Sequence, residues 1–427
     1  MVKRLALLLA CSGCSLITDS FATNDFSGDK YPVYVDTRSG AVLLGLTSGN
    51  ETHTAVLDVL SPLTLIDPGA NTDATIDYED LTLLGDRALG DTGTFDIPRA
   101  SFSAQQVLRL HPCAATQPTC RLGLSTAEAG FDAIVGADSL AGDALRMRLG
   151  DNQVFVLADI GGSNTDRTYA CDAVFPSPYR GGGTLIVAGT EVPFAGRRAT
   201  VQACLDANPD PLVTQGARGT DALFVMSTSI GPSLLSESAY ERYRQTHPAA
   251  PPLSALPETQ LSLPSGPVNG RLALISKLAL VARATSEPLA PCRQFYAHHL
   301  LIERDCLQAD DCPCENNALF CPVPASVGIE PPAGIELLVV PDDDATLQAL
   351  RTEFRPNLQE IDGLLGTGAM REIEFDLDYP HNRVLARCAT NDTAACVTRP
   401  ALDSEQDRRQ IRGCPGLSTT SFTPRAK

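Results

Sequence analysis

Two polar loop tips hold the residues of this chain that could transfer protons. Asp58 follows the apolar run 55–57, and Ser227 follows the apolar run 224–226. Two carboxylates held close together divide the acid and base roles, because they cannot both ionise there and their pKa values split. A serine hydroxyl has no comparable acid or base range near neutral pH. The sequence therefore offers one group for acid–base chemistry where a symmetric site would need two.

These loop tips belong to an internal repeat of the sequence. Segment 224–235 repeats the pattern of segment 55–66, and segment 361–370 repeats the glycine motif of segment 131–140. The order loop, glycine motif, loop, glycine motif is typical of two homologous lobes related by a pseudo-twofold axis. We expect that axis to bring the two loop tips face to face.

The composition predicts a globular chain with room for two domains. Of the 427 residues, 43% are hydrophobic and 20% are charged, which is typical of a folded chain and not of a disordered one. No internal apolar run reaches the ~20 residues that a membrane-spanning helix needs. The formal charge is 33 − 51 = −18, so the chain would repel phosphates and we expect no nucleic-acid partner.

The N-terminus has the features of an export signal. Two basic residues precede a short apolar run, and small residues then lead to Cys14, as in secretory signals. Small residues before a cysteine resemble a bacterial lipobox, although Cys11 stands where leucine is usual. The pattern predicts a signal peptide at 1–13, a membrane-anchoring lipid on Cys14 and a polar tether at 14–30. The serine after Cys14 favours the outer membrane of a bacterial cell envelope.

The cysteine count agrees with cleavage before Cys14. The chain has 14 cysteines; this cleavage removes Cys11 and commits Cys14 to lipid, so 12 remain. An even number in an exported protein predicts disulfides. The full connectivity stays open, but two local pairs would each close a short loop: Cys113 with Cys120, and Cys388 with Cys396.

A cysteine-rich insertion at 305–324 has two interpretations. Its four cysteines could bind zinc, but a Cys-Pro-Cys spacing departs from the usual two-residue gap. An oxidising compartment favours disulfides, so we expect no metal and no cofactor. The cysteines concerned are Cys306, Cys312, Cys314 and Cys321.

Alternating apolar and polar residues, separated by turn residues, predict a mostly β chain. We expect an N-terminal β lobe at 31–180 and a C-terminal β lobe at 181–400, with a polar tail at 401–427. Short helices are predicted over 237–245 and 345–351.

The two loops and the two glycine motifs together resemble those of the pepsin-like and retropepsin-like aspartic peptidases. In that family each lobe carries Asp-Thr/Ser-Gly-Thr/Ser at a loop tip, followed later by two apolar residues and a glycine. Here Gly136 and Gly366 end such motifs, and the match runs in order through 31–390. The resemblance implies a bilobal pepsin-like acid-protease fold, with few short helices and a cleft between the lobes.

The loop residues depart from the family pattern where catalysis needs them. The first loop reads Asp58-Val59-Leu60-Ser61, and the second reads Ser227-Thr228-Ser229. Serine replaces the second aspartate, and valine replaces a threonine whose hydroxyl would brace the loops. Leucine and serine replace the two glycines. We expect no intact catalytic pair, and a partly solvated Asp58 whose pKa stays near its ordinary value.

Other carboxylates are candidate partners or rivals of Asp58. The run Asp91-Thr-Gly-Thr spells the family's loop motif, but glycine precedes it instead of an apolar strand, so we interpret it as a turn and keep Asp91 as a rival. Asp67 and Asp221 lie near the loops in sequence, although catalysis tolerates misplacement of only about an ångström. Asp132 and Asp138 flank the first glycine motif and are interpreted as surface or turn residues.

The sequence supports three functional hypotheses. The first is a non-catalytic, aspartic-peptidase-like envelope lipoprotein whose inter-lobe cleft binds a peptide or a partner protein. The second is an active but atypical aspartic endopeptidase that uses Asp58 with an acid from elsewhere. The third is an envelope scaffold without a ligand. The serine at position 227 favours the first, and the oligomeric state stays open.

Overall fold

The computed structural model describes fourteen parts of the chain. The signal peptide, Cys14, Asp91, the pair Cys113 and Cys120, the 305–324 cysteines and the tail all lie outside them. The described residues are 29–37, 39–67, 75–85, 97–109, 131–157, 173–176, 182–187, 189–206, 219–263, 266–282, 292, 326–354, 360–389 and 395–399.

Strands dominate the described residues, which confirms the predicted mostly β class. The strands are, in chain order, β1 (Asp29–Pro32), β2 (Tyr34–Val35), β3 (Val42–Ser48), β4 (Glu51–Leu57), β5 (Thr64–Ile66), β6 (Thr75–Gly85), β7 (Ile97–Arg109), β8 (Ala133–Val135), β9 (Ala144–Arg148), β10 (Gln153–Leu157), β11 (Ala173–Pro176), β12 (Gly182–Val187), β13 (Thr190–Ala195), β14 (Thr200–Leu205), β15 (Thr220–Met226), β16 (Ser233–Ser236), β17 (Glu258–Leu263), β18 (Gly266–Ile275), β19 (Leu278–Val281), β20 (Ser326–Ile329), β21 (Ile335–Val340), β22 (Gly363–Leu365), β23 (Ile373–Asp378), β24 (Arg383–Cys388) and β25 (Cys396–Arg399).

The helices of the described residues are short, and both predicted helices are present. Ser236 begins one of them, because its Oγ accepts a hydrogen bond from the backbone N–H of Ala239 at 3.3 Å and so satisfies a donor that the first turn leaves open. No helix in these parts of the chain is long and apolar enough to cross a bilayer. The α-helices are α1 (Ala137–Leu140), α2 (Glu237–Thr246), α3 (Ala345–Phe354) and α4 (Thr367–Met370). Two 3-10 turns cover Leu149–Asp151 and Leu253–Ala255.

The N-terminal lobe, called the N-lobe below, is a sheet that closes on itself. Its strand order is β2-β3-β4-β8-β5-β7-β6, and β6 pairs back onto β3. Strand β4 begins exposed and ends buried, which carries its last residues into the interior just before Asp58. The closed sheet thus delivers the first loop to one end of the lobe.

The C-terminal lobe, the C-lobe, repeats this pairing with the same registers. In the N-lobe, β4 runs parallel to β8 with Ala55 opposite Ala133. In the C-lobe, β15 runs parallel to β22 with Phe224 opposite Gly363. Each pair lies three residues before its loop and three residues before its motif glycine. The repeat seen in the sequence is therefore a repeat of structure, and the predicted two-lobed architecture is confirmed.

A third sheet joins the two lobes. Its order is β1-β10-β9-β23-β24-β11, so N-lobe and C-lobe strands meet where β9 pairs with β23. Strand β1 begins at Asp29, which shortens the predicted tether by two residues. Buried charges cross this inter-lobe sheet: Arg146 Nε donates to Asp376 Oδ1 at 2.7 Å, and Arg148 pairs with Glu374.

The apolar core is continuous between the lobes. One cluster of buried side chains contains Leu57 of the N-lobe, Phe224 of the C-lobe, and Met147 and Phe375 of the inter-lobe sheet. Because this cluster surrounds the bases of both loops, burial of apolar surface holds the loops where the lobes meet.

Two disulfides are present in the described residues. Cys388 bonds to Cys396, as the spacing predicted, and Cys204 of β14 bonds to Cys292. The first closes the short connection between β24 and β25. The second fixes the far end of β14, away from the loop tip.

The motif glycines pack against backbone where no side chain fits. A Cβ at Gly136 would lie 2.4 Å from the carbonyl oxygen of Leu63, and one at Gly366 would lie 2.5 Å from that of Pro232. Since these obstacles are main chain, they cannot rotate away.

We predict that Gly136→Ala destabilises the fold by roughly 1–3 kcal/mol or more, because overpacking forces the backbone to shift. Urea unfolding measures the change as a lower midpoint. Gly142→Ala is the matched control, since a Cβ there meets nothing within 4 Å. Equal midpoints for the two variants would contradict this packing.

Candidate functional site

Each loop is joined to the glycine motif of its own lobe by an equivalent backbone hydrogen bond. The backbone N–H of Asp58 donates to Val135 O at 3.0 Å, and that of Ser227 donates to Leu365 O at 3.0 Å. A second matched pair holds the motif itself, because Gly136 N donates to Thr64 Oγ1 at 3.1 Å and Gly366 N donates to Ser233 Oγ at 3.0 Å. Asp58 and Ser227 therefore occupy equivalent positions of the two lobes.

The two loops meet through the hydroxyl of Thr228. Its Oγ1 accepts a hydrogen bond from Val59 N at 3.1 Å and donates to Leu57 O at 2.5 Å, across the lobe boundary. Val59 is fully buried in the same place on the other loop, but its side chain has no hydroxyl to return these bonds. The brace between the lobes is one-sided.

Serine hydroxyl groups lie near Asp58. One carboxylate oxygen accepts the backbone N–H of Leu60 at 3.0 Å, and the Ser229 hydroxyl acts to lower the pKa of the carboxyl group. Ser229 Oγ is in turn 3.0 Å from Ser227 Oγ. Ser227, which stands where a second carboxylate would be, thus adds another neutral hydroxyl group to the one of Ser229. Ser61, the last residue of the first loop, donates its hydroxyl to Leu63 O at 2.8 Å instead.

The expected ordinary pKa of Asp58 is wrong. Asp58 is only 6% exposed, and burial raises its pKa from 3.8 to about 6 against the opposing effects of the Leu60 N–H, the charge of Arg198, and the Ser229 and Ser61 groups. The sequence suggested a solvated loop tip, but the packing of both lobes removes the carboxylate from water. Among the described residues, the groups that shift this pKa most include no carboxylate.

Sequence reasoning missed two residues of this site. Arg198, just before β14, is buried and lies 3.0 Å from Glu353 of α3. Tyr379, just after β23, is buried, and its pKa is raised first by that burial and then by the charge of Asp58. Neither residue stands in a motif, and contacts over 140 residues or more of chain leave no local signal. The repeat could have indicated Arg198, because it precedes β14 as Ala41 precedes β3.

The side chain of Leu60 packs across the lobe boundary. Its side chain is partly buried and packs against an apolar cluster of the C-lobe that includes Ile230, Val268 and Phe354. A side chain from the first loop therefore enters the opposite lobe at the point where the family pattern has glycine.

The N-lobe has little chain available for a substrate-covering hairpin. Strand β5 ends at Ile66 and β6 begins at Thr75, which leaves eight residues, 67–74, between them. The C-lobe instead has the hairpin β17–β18 after β16 and α2. Tyr78 lies within β6 opposite Gln106 and is highly exposed.

The other acids considered for the site have separate roles. Asp132 pairs with His53 at 2.9 Å and accepts Thr54 N. Asp138, expected at the surface, is largely enclosed and accepts the N–H and hydroxyl of Thr64. Asp221 accepts Cys292 N at 2.7 Å, six residues before the second loop tip. Asp67 follows β5, where its backbone N–H donates to Asp132 O at 2.8 Å.

Within the described ranges, no three or more His, Cys, Asp or Glu side chains lie together where they could hold a metal ion. The chemistry available at the loop tips is that of one buried carboxyl group, several hydroxyls and a buried guanidinium.

Comparison with known proteins gives a distant structural similarity. No protein-family model and no curated protein matches the chain. Among solved structures, the aspartic proteinase from Irpex lacteus is similar over 86% of this chain and 99% of that chain, with 10% sequence identity and a TM-score of 0.39. The two-lobed β architecture rests on the strand pairing of the chain itself.

We predict that Asp58 makes folding less favourable as the pH rises. Its folded-state pKa is raised, so the folded protein binds the proton more tightly than the unfolded chain between about pH 4 and pH 6. At about 1.4 kcal/mol per pKa unit, the stability of Asp58→Asn relative to the natural chain should increase by about 3 kcal/mol across that interval and level off above it.

Urea unfolding at a series of pH values measures this difference. Asp151→Asn, at an exposed position of the 149–151 turn, is the control and should follow the pH dependence of the natural chain. A constant difference between Asp58→Asn and the natural chain at all pH values would contradict the burial of an ionisable Asp58.

Proposed function

We propose that this chain is a non-catalytic, aspartic-peptidase-like lipoprotein of a bacterial envelope that binds a peptide or a partner protein between its lobes. The observation that carries the proposal is Ser227, which stands in the position equivalent to Asp58. Hydrolysis of a peptide bond by such a pair needs one acid to activate water while the other donates a proton to the carbonyl. Ser227 cannot take either role near neutral pH.

The surroundings of Asp58 support the same conclusion. A two-carboxylate site splits its pKa values because its charges repel, whereas the raised pKa of Asp58 comes from burial and its charged neighbour is the cation Arg198. The Leu60 side chain packs into the C-lobe, and the second loop from Ser227 to Ile230 is buried. Each of these features opposes the entry of a water molecule and a peptide carbonyl.

One observation favours the alternative of an atypical endopeptidase. A pKa of about 6 would suit a general base near neutral pH. That alternative needs a second acid within hydrogen-bonding reach of Asp58, and the groups that lower the pKa of Asp58 are a guanidinium, a hydroxyl and backbone N–H groups. An envelope scaffold without a ligand is the remaining alternative.

Envelope anchoring is supported by the N-terminal sequence. Cleavage before Cys14 leaves an even number of cysteines, and the two disulfides of the described residues fit an oxidising compartment. A multi-chain lipid on Cys14 would hold the protein firmly at a membrane, as a single acyl chain does not.

We predict that the purified protein does not hydrolyse peptides. Incubated with a mixed library of unstructured peptides from pH 3 to pH 7, the natural chain and Asp58→Ala should both leave the peptides intact by mass spectrometry. Cleavage at acidic pH that Asp58→Ala abolishes, and that a transition-state mimic of peptide hydrolysis blocks, would establish the endopeptidase alternative instead.

We predict that lipid attaches to Cys14 and not to Cys11. Expressed in a bacterium with a labelled fatty acid, Cys14→Ala should lose the label and leave the membrane fraction. Cys11→Ala is the matched control and should keep both. Loss of label in Cys11→Ala alone would move the anchor to Cys11.

A further inference from the structure

The bonds of the Thr228 hydroxyl hold the first loop against the second at either side of Asp58. Thr228 Oγ1 donates to Leu57 O at 2.5 Å and accepts from Val59 N at 3.1 Å. Leu57 and Val59 are the chain neighbours of Asp58, which is the one ionisable residue in 58–61 and 227–230. The contact of residues 57–61 with residues 227–230, called the loop contact below, is therefore built around a single group that can gain or lose charge.

The ends of the first loop are attached to their own lobe and do not depend on the second loop. Asp58 N donates to Val135 O at 3.0 Å, and Ala137 N donates to Ser61 O at 2.8 Å. The tip between these ends is held to the C-lobe by the Thr228 hydroxyl and by the packing of two apolar side chains, Val59 and Leu60. The tip can therefore separate from the second loop while β4 and β8 stay paired.

The Asp58 carboxyl group is enclosed in the loop contact, where it is 6% exposed. The groups that act on it come from four parts of the chain: the Leu60 and Ser61 backbone N–H groups of its own loop, the Ser229 hydroxyl of the second loop, the Arg198 guanidinium before β14 and the Tyr379 phenol after β23. The charge of Arg197 also acts on that phenol. Neutral donors thus outnumber the charged group that opposes a negative charge on Asp58.

The cation that acts on Asp58 is already paired with another carboxylate. Arg198 lies 3.0 Å from Glu353, so its charge is shared between two acids. The Tyr379 phenol stays neutral, because burial and then the charge of Asp58 raise its pKa. An ionised Asp58 is therefore only partly stabilised inside the loop contact, and hydration would stabilise it further. Water can surround the carboxylate once the tip of the first loop has moved away from the second.

We propose that the loop contact opens and closes with the ionisation of Asp58. It is closed while Asp58 carries its proton; when Asp58 gives the proton to solvent, the tip of the first loop separates from the second. Separation breaks the bonds of Thr228 to Leu57 and Val59 and uncovers the second loop. The opening itself does not depend on the proposed function, whereas its consequence, easier access of a ligand between the lobes, rests on that function.

The pKa of Asp58 sets the pH range of this change. Burial raises the pKa from 3.8 to about 6 in the closed contact, and a hydrated carboxyl group in the open contact would return to its ordinary value. The proton therefore favours the closed form fully below about pH 4, and this advantage is lost as the pH rises to about 6. Because each pKa unit is a factor of ten, the ratio of open to closed contact should rise about 100-fold across that interval and then level off.

Hydrogen exchange of the Val59 N–H, followed by NMR on the mature protein and corrected for the intrinsic exchange rate at each pH, tests the inference. Its protection should fall about 100-fold between pH 4 and pH 6 in the natural chain and stay constant in Asp58→Asn. Asp151→Asn is the matched control and should behave as the natural chain does. Thr228→Val, which lacks the hydroxyl, should leave Val59 poorly protected even at pH 4.

Urea separates opening of the loop contact from unfolding of the whole chain. Exchange through global unfolding accelerates with urea in proportion to the surface exposed, whereas a local opening exposes little. At pH 7 in urea below the unfolding transition, exchange of the Asp362 N–H, which donates to Leu223 O at 2.9 Å within the C-lobe, should accelerate, while that of Val59 should be faster and nearly constant. Equal protection and equal urea dependence of the two amides, or a pH dependence that persists in Asp58→Asn, would overturn the inference. No peptide is present, so cleavage of peptides in the separate assay would refute the proposed function and leave this result unchanged.

Discussion

One buried carboxyl group lies at the seam between two homologous lobes, and the arrangement of the site depends on it. Thr228 reaches across the seam to both Leu57 O and Val59 N, so the first loop is held against the second. Asp58 lies within that contact, where its carboxyl group is shielded from water. An ionised carboxylate that is removed from water needs other stabilisation. The Leu60 N–H, the Arg198 charge and the Ser229 hydroxyl supply only part of that stabilisation. Asp58 therefore holds its proton more tightly than an exposed aspartate does.

The asymmetry of the lobes follows from which residues the repeat has kept. Backbone relations are conserved between the lobes, since the motif glycines and the loop N–H groups make the same bonds in both. Side chains are not conserved in this way. Val59 lacks the hydroxyl of Thr228, and Ser227 lacks the carboxyl group of Asp58. Arg197 occupies the position equivalent to Gly40. A fold of this kind can lose a reaction while its pairing stays intact, since architecture and chemistry depend on different atoms.

The sequence predicted the architecture because its signals are local and repeated. Apolar runs that end in Asp58 or Ser227, and apolar pairs that end in Gly136 or Gly366, fix both the parallel pairing and the placement of the loops. The Cys388–Cys396 disulfide followed from spacing. The burial of Asp58, the packing of Leu60 against the C-lobe and the approach of Arg198 could not be predicted in this way, because each depends on side chains more than 130 residues apart that meet only after the lobes assemble.

The central claim is that the seam holds a single titrating acid where the symmetry has two positions. Carbon-13 NMR of the Asp58 carboxyl carbon, assigned by its absence in Asp58→Asn, tests it directly through the pH dependence of the chemical shift. We expect one single-proton transition with a midpoint near pH 6. Two coupled transitions, or one transition at the ordinary pKa of aspartate, would contradict a lone buried carboxyl group facing a serine.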